Sequence, residues 1–160
     1  MENMKKQHTL RTLFKTYIVD ALSFMAMGLF CSLILGLIIK QIALIPGLDF
    51  LKDIAALLQS APVVGGSIGM AIAFGLKCAP LVTISAVAVG ALGYQFGGPI
   101  GAYLASIVGI EGGSLVSKRT PVDIIVTPLV AVLAGGLFAK YCCVPINEWV
   151  MSLGEVINRA

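Results

Sequence analysis

GYQFGGPIGAYLASIVGIEGGSLVSK, residues 93–118, is the stretch whose reading decides the fold. Small residues recur along it at every fourth position, at Gly93, Gly97, Gly101, Ala105, Gly109, Gly113 and Ser117, and its one acid is Glu111. A four-residue repeat returns to nearly the same face of a helix, so the pattern predicts a helical surface stripped of side chains. Such a surface lets two helix backbones approach closely and gain dispersion contacts that lipid cannot replace. Gly97-Gly98-Pro99 interrupts the ladder with a turn signal, so two helices rather than one are expected here.

The rest of the chain sets the medium in which those helices meet. Of 160 residues, 58% are hydrophobic and only 12% charged, whereas a soluble domain carries about 25% charged residues. Residues 21–39, 54–76, 78–110 and 124–139 contain no Asp, Glu, Lys or Arg, and a bilayer core of roughly 30 Å is crossed by about 20 helical residues. The chain is therefore read as a membrane protein whose first partner is the lipid bilayer. The apolar run 21–39 is longer than the ~7–15-residue core of a cleaved signal peptide and is read as a retained span. A net charge of +3 with scattered basic residues does not build a nucleic-acid surface.

Residues 1–160 are expected to form a single all-α transmembrane domain. About five transmembrane helices are predicted, near residues 20–40, 62–76, 80–96, 98–116 and 122–141. The second and third are short and begin at Pro62 and Pro80, so kinked or re-entrant helices are expected there. Amphipathic patterns at 9–19 and 145–159 predict interfacial helices at both ends, the second anchored by Trp149. With the amino terminus inside, five spans place Lys5, Lys6, Arg11, Lys15, Lys77, Lys118 and Arg119 on the inner side and Lys40, Lys52, Lys140 and Arg159 on the outer. This bias favours a cytoplasmic amino terminus.

Chemistry is sparse. No Ser/His/Asp set, P-loop or metal-ligand cluster is present, so no catalytic residue, metal or cofactor is assigned. Cys31, Cys78, Cys142 and Cys143 lack paired spacing and lie in or beside apolar segments, and His8 lies in a polar terminal segment. Glu111 falls well inside the bilayer, roughly 20 Å along a helix that starts near Pro99. Two readings of it stand: a carboxylate facing a cavity and contacting a ligand or proton, or a structural group that pairs with Lys118 or Arg119 at the interface or lies in a loop where the helix ends early at Gly112-Gly113. The glycine pairs leave backbone amides free of side chains, as in transporters with broken helices. The candidate small-molecule site comprises Gly97, Gly98, Glu111, Gly112, Gly113, Asp123 and Thr127. For Asp20, Asp123 and Lys77 the simpler readings are helix starts for the two acids and snorkelling for the lysine.

The run YIVDALSFMAMGLFCSLILGLIIKQI and the block GGPIGAYLASIVGIEGGSLVSKRTPVDIIVTPLVAVLAGGL, with its TPVDIIVTPL core, resemble a known family. They are similar to the amino-terminal half of bacterial phosphotransferase-system membrane proteins of the second enzyme IIC family, over about residues 17–153. The resemblance implies a sugar-permease-like component of the bacterial inner membrane, which binds a sugar and passes it inward while partner domains phosphorylate it. No phosphorylation motif surrounds a Cys or His here, so separate phosphoryl-carrier proteins are implied. Such proteins are typically about twice this length. A half with an odd number of spans implies an inverted second copy, which this chain would supply by forming a homo-oligomer, a dimer. The alternative is a membrane receptor or regulator that binds a small apolar or amphipathic ligand without moving it.

Overall fold

The computed structural model describes residues 15–119 and 122–159, and among them every regular element is helical. Of the amphipathic segment expected at 9–19, residues 9–14 lie outside this range. Residues 15–19 are the first turns of α1, which runs without a break over Lys15–Ile42. Asp20 therefore does not start a helix: it sits inside one and makes no capping bond. Two wider, π-type stretches interrupt the regular winding, at Lys15–Asp20 and Phe30–Ile34. In the second, the Ser32 hydroxyl donates to the Gly28 carbonyl one turn back, which keeps the polar group satisfied at membrane depth.

After a turn containing Gly47 at φ 94°, α2 covers Leu51–Leu58 and α3 covers Ala61–Gly75. Pro62 lies in the first turn of α3, where its missing N–H costs no intrahelical bond. α2 and α3 bend by 54° at the break between them. α4 spans Pro80–Val116 but is broken by Gly97 (φ −140°, ψ 17°) and Gly98 (φ 60°, ψ −154°). The Gly98 conformation is essentially closed to residues with a Cβ. Pro99 follows in the first turn of the second leg, and the two legs, 80–96 and 99–116, double back on each other. α5 covers Asp123–Phe138, a π-type stretch follows at Ala139–Cys143, and α6 covers Val144–Arg159.

The antiparallel hairpin is visible in what its glycines touch. A Cβ built on Gly93 would lie 2.5 Å from the Gly101 carbonyl oxygen, and one on Gly101 would lie 2.4 Å from that of Gly93. Further from the turn, Gly109 meets Val89 and Gly113 meets Val82. The small-residue ladder of 93–117 thus folds onto itself, with Gly93, Gly97, Gly101, Ala105, Gly109 and Gly113 all buried.

The same device repeats at every other contact. Gly65 and Gly90 bring α3 against the first leg, and Gly69 packs against the Ala86 carbonyl. Gly28 sets α1 on Ser67 and Ile68 of α3, while Gly109 and Gly135 set α5 on the hairpin. Between these contacts Val64, Ile68, Ile72, Val82 and Ile110 form a fully buried core.

Among the described residues three helices are long and apolar enough to cross a membrane, Lys15–Ile42, Pro80–Val116 and Asp123–Ile157, and the bent α2–α3 pair adds a fourth when counted as one broken span rather than a re-entrant loop. Because α4 turns back at Gly97-Gly98, its 37 residues form two legs of about 26 Å each at ~1.5 Å per residue. Large apolar side chains cover the outside: Phe30, Leu37, Ile84, and along α5 Ile125, Leu129, Leu133 and Leu137 are all exposed. That surface needs lipid, and the chain is a polytopic helical membrane protein.

Candidate functional site

Three segments far apart in sequence converge at one end of the bundle. Tyr17 comes from the first turns of α1, Leu76–Ala79 form the turn between α3 and α4, and Glu111 and Ser114 close the second leg of α4. With Thr16, Ser117 and Lys118 they line a cavity of about 390 Å³, a volume within the range of small-molecule sites. Their convergence follows from the antiparallel order of the helices. α1 begins where α3 ends, and α4 both begins and ends there.

Glu111 is met by a hydroxyl. The Tyr17 Oη donates to Glu111 Oε1, and the Tyr103 Oη donates to the Tyr17 carbonyl oxygen, so the first turn of α1 is tied to α4 at two points. The expected structural partners of Glu111, Lys118 and Arg119, are not used: among the described residues the one ion pair is Lys52–Asp49 at 2.5 Å. Both lie beyond the helix end, and Lys118 lines the same cavity without forming an ion pair with the carboxylate. Tyr17 was hidden in the sequence because its pattern reads as the apolar face of an interfacial helix.

The backbone at the cavity rim is unusual. α3 ends in a Schellman motif: the Cys78 N–H bonds the Ala73 carbonyl at 3.0 Å and the Lys77 N–H bonds that of Phe74 at 3.0 Å. Lys77, at φ 57°, occupies the left-handed position that this motif normally gives to glycine. After α4, Ser117 (φ −55°, ψ 132°) and Lys118 (φ 63°) form a type II turn, closed by the Arg119 N–H to the Val116 carbonyl at 3.1 Å. Lys118 again stands where glycine is preferred. Each lysine costs about 1 kcal/mol in backbone conformation relative to glycine. Burial pushes the Cys78 thiol, between the two turns, above its ordinary value.

The other candidate residues lie elsewhere. Gly97 is backed by Cys143, and Gly98 faces open space with Asn147 Oδ1 at 3.9 Å from its would-be Cβ. Both sit at the far end of the second leg from Glu111, roughly 20 Å away along the helix. Gly112 packs beside Ala134 and Val130, and Gly113 is buried between Ala131 and Val82. Thr127 is fully buried and donates to Asp123, one turn earlier on α5. The structure therefore brings Glu111 to a cavity and its neighbouring glycines to helix contacts. Ser114, Ser117, Lys118, Lys77 and Cys78 join it without having been singled out as site residues, because no local pattern links the 76–79 turn to the end of α4.

These features define a class, a polytopic helical membrane protein with a polar cavity at one end of a glycine-packed bundle. Residues 19–160 match the family model described as Phosphotransferase system, EIIC, and the chain belongs to that family. It is accordingly a permease-like membrane component of a phosphotransferase system. No curated protein and no solved structure matches the chain.

Proposed function

We propose that this chain is the sugar-binding and translocating component of a phosphotransferase system, and that its ligand contacts the cavity beside Glu111. The observation that carries this reading is the Glu111 carboxylate, placed on an otherwise uncharged helix yet facing a cavity and bonded to a hydroxyl instead of a cation. A carboxylate that accepts from one hydroxyl can accept from others, and Thr16, Ser114 and Tyr17 add neutral polar groups of the kind that bind polyols. The glycine faces act as scaffold: they are filled by neighbouring helices and fix Glu111 by holding α4 against α3 and α5. Phosphorylation requires separate carrier proteins, and a second copy of the chain completes the translocation path. The bacterial inner membrane, with the Lys15, Lys77 and Lys118 end in the cytoplasm, is the setting this reading implies.

A receptor that binds without transporting is the second reading. It is favoured by a neighbouring cavity of about 510 Å³ lined by Phe24, Phe74, Gly75, Lys77, Cys78 and Thr83, apolar apart from the lysine and the threonine, which suits an amphipathic ligand. Uptake by reconstituted vesicles of a panel of radiolabelled hexoses and disaccharides separates the two. The permease reading expects saturable uptake that Glu111→Gln abolishes. Saturable binding with no equilibration across the bilayer would exclude it.

A further inference from the structure

Lys77 and Lys118 share three properties. Each occupies a left-handed backbone position that its turn would fill best with glycine, in a chain that has 18 glycines. Each lines the Glu111 cavity. Neither forms an ion pair with a described residue. A helix carboxyl end does favour a nearby cation, but that attraction acts throughout the last turn and does not require the left-handed residue. The inner-side charge bias likewise asks only for a cation somewhere near the helix end, not at the left-handed position itself, so a role in the cavity accounts for lysine at both places. Beside them the Ser117 hydroxyl oxygen is shut off from solvent and has no hydrogen-bond partner among the described residues.

We infer that Lys77 and Lys118 form a seat for a phosphate group at the rim of the Glu111 cavity. Two ammonium groups against the single carboxylate of Glu111 leave the cavity with an excess positive charge, and a phosphate offers oxygens to both lysines at once. The same chemistry could be delivered by a phosphorylated small molecule or by a phospholipid headgroup at this end of the bundle. The inference rests on reading the cavity as a ligand site, but it concerns a different group of the ligand from the one that meets Glu111.

The experiment uses the full chain in phosphatidylcholine nanodiscs, titrated with inorganic phosphate and followed by calorimetry. Saturable binding is expected, weakened at least tenfold in the Lys77→Gly/Lys118→Gly double variant and retained in Lys77→Arg/Lys118→Arg. Because glycine fits both turns, the glycine variant should melt no lower than the parent, so lost binding cannot be ascribed to lost folding. A lipid source is tested by native mass spectrometry from discs containing phosphatidylglycerol, where the parent should retain a bound lipid that the glycine variant releases. If the parent binds neither probe, or the glycine variant binds both unchanged, the seat does not exist. Glu111→Gln should keep phosphate binding while losing neutral sugar, so the two readings of the cavity fail separately.

Discussion

The Tyr17 hydroxyl donates a hydrogen bond to the Glu111 carboxylate, across 94 residues of sequence. This bond joins the first helix to the last turns of the α4 hairpin, and it gives the single acid of a glycine-rich segment a neutral partner. Tyr103 secures the arrangement from the other side by donating to the Tyr17 carbonyl.

Removing the donor should expose the dependence of Glu111 on it. Tyr17→Phe leaves the ring but deletes the hydroxyl, and is expected to lower stability by about 0.5–1.5 kcal/mol, the net worth of one hydrogen bond whose acceptor stays open to the cavity. Combined with Glu111→Gln, the effects should be less than additive when thermal unfolding is followed in nanodiscs. Strict additivity would show that the two side chains do not interact.

The packing glycines should tolerate no side chain. A Cβ on Gly69 would stand 2.0 Å from the Ala86 carbonyl oxygen and 3.0 Å from Ser106 Oγ, with backbone unable to move aside. Gly69→Ala should therefore cost at least about 2 kcal/mol, at the upper end of the range for overpacking. Gly154, in α6 with nothing within 4 Å, is the control. Gly154→Ala should be neutral or stabilise by about 0.5–1 kcal/mol through helix propensity. Equal melting temperatures for the two variants would contradict the packing described here.

Gly98 separates backbone cost from steric cost. Its would-be Cβ has room, with Asn147 Oδ1 the nearest atom at 3.9 Å, but its φ of 60° with ψ of −154° disfavours any L side chain. Gly98→Ala should cost about 1–3 kcal/mol from conformation alone. Thermal unfolding in nanodiscs measures this cost, and a variant that melts with the parent would show that the turn does not hold this conformation.

Cys78 reports on the cavity. It is half-buried beside Glu111, whereas Cys143 is fully buried. Maleimide should modify Cys78 far faster than Cys143, and a sugar that is transported should slow the Cys78 reaction several-fold. Glu111→Gln should remove that protection. Protection that survives in Glu111→Gln would place the ligand outside this cavity.

Much of the architecture was legible without coordinates because its causes are local. Uncharged runs long enough for a bilayer define the membrane class through solvation alone. The Gly97-Gly98-Pro99 turn was readable because only glycine adopts such a conformation and proline suits the next helix start. The ladder at 93–117 announced close helix contacts, and those are what its glycines make. The pairing of Glu111 with Lys118 or Arg119 was a plausible reading of neighbours in sequence. It failed because the carboxylate is met instead by the Tyr17 hydroxyl, which α1 brings from the opposite end of the sequence.

By itself, the sequence determined the medium, the helical content and the position of the tight turn, since each depends on residues within a turn or two of one another. Tertiary structure alone decided which helix each glycine face meets, for small-residue stripes announce a contact without naming the partner. It also decided that Tyr17, the 76–79 turn and Glu111 share one cavity. That meeting depends on the register of three antiparallel helices, set by backbone contacts at Gly28, Gly69 and Gly93 that no local pattern of polarity encodes.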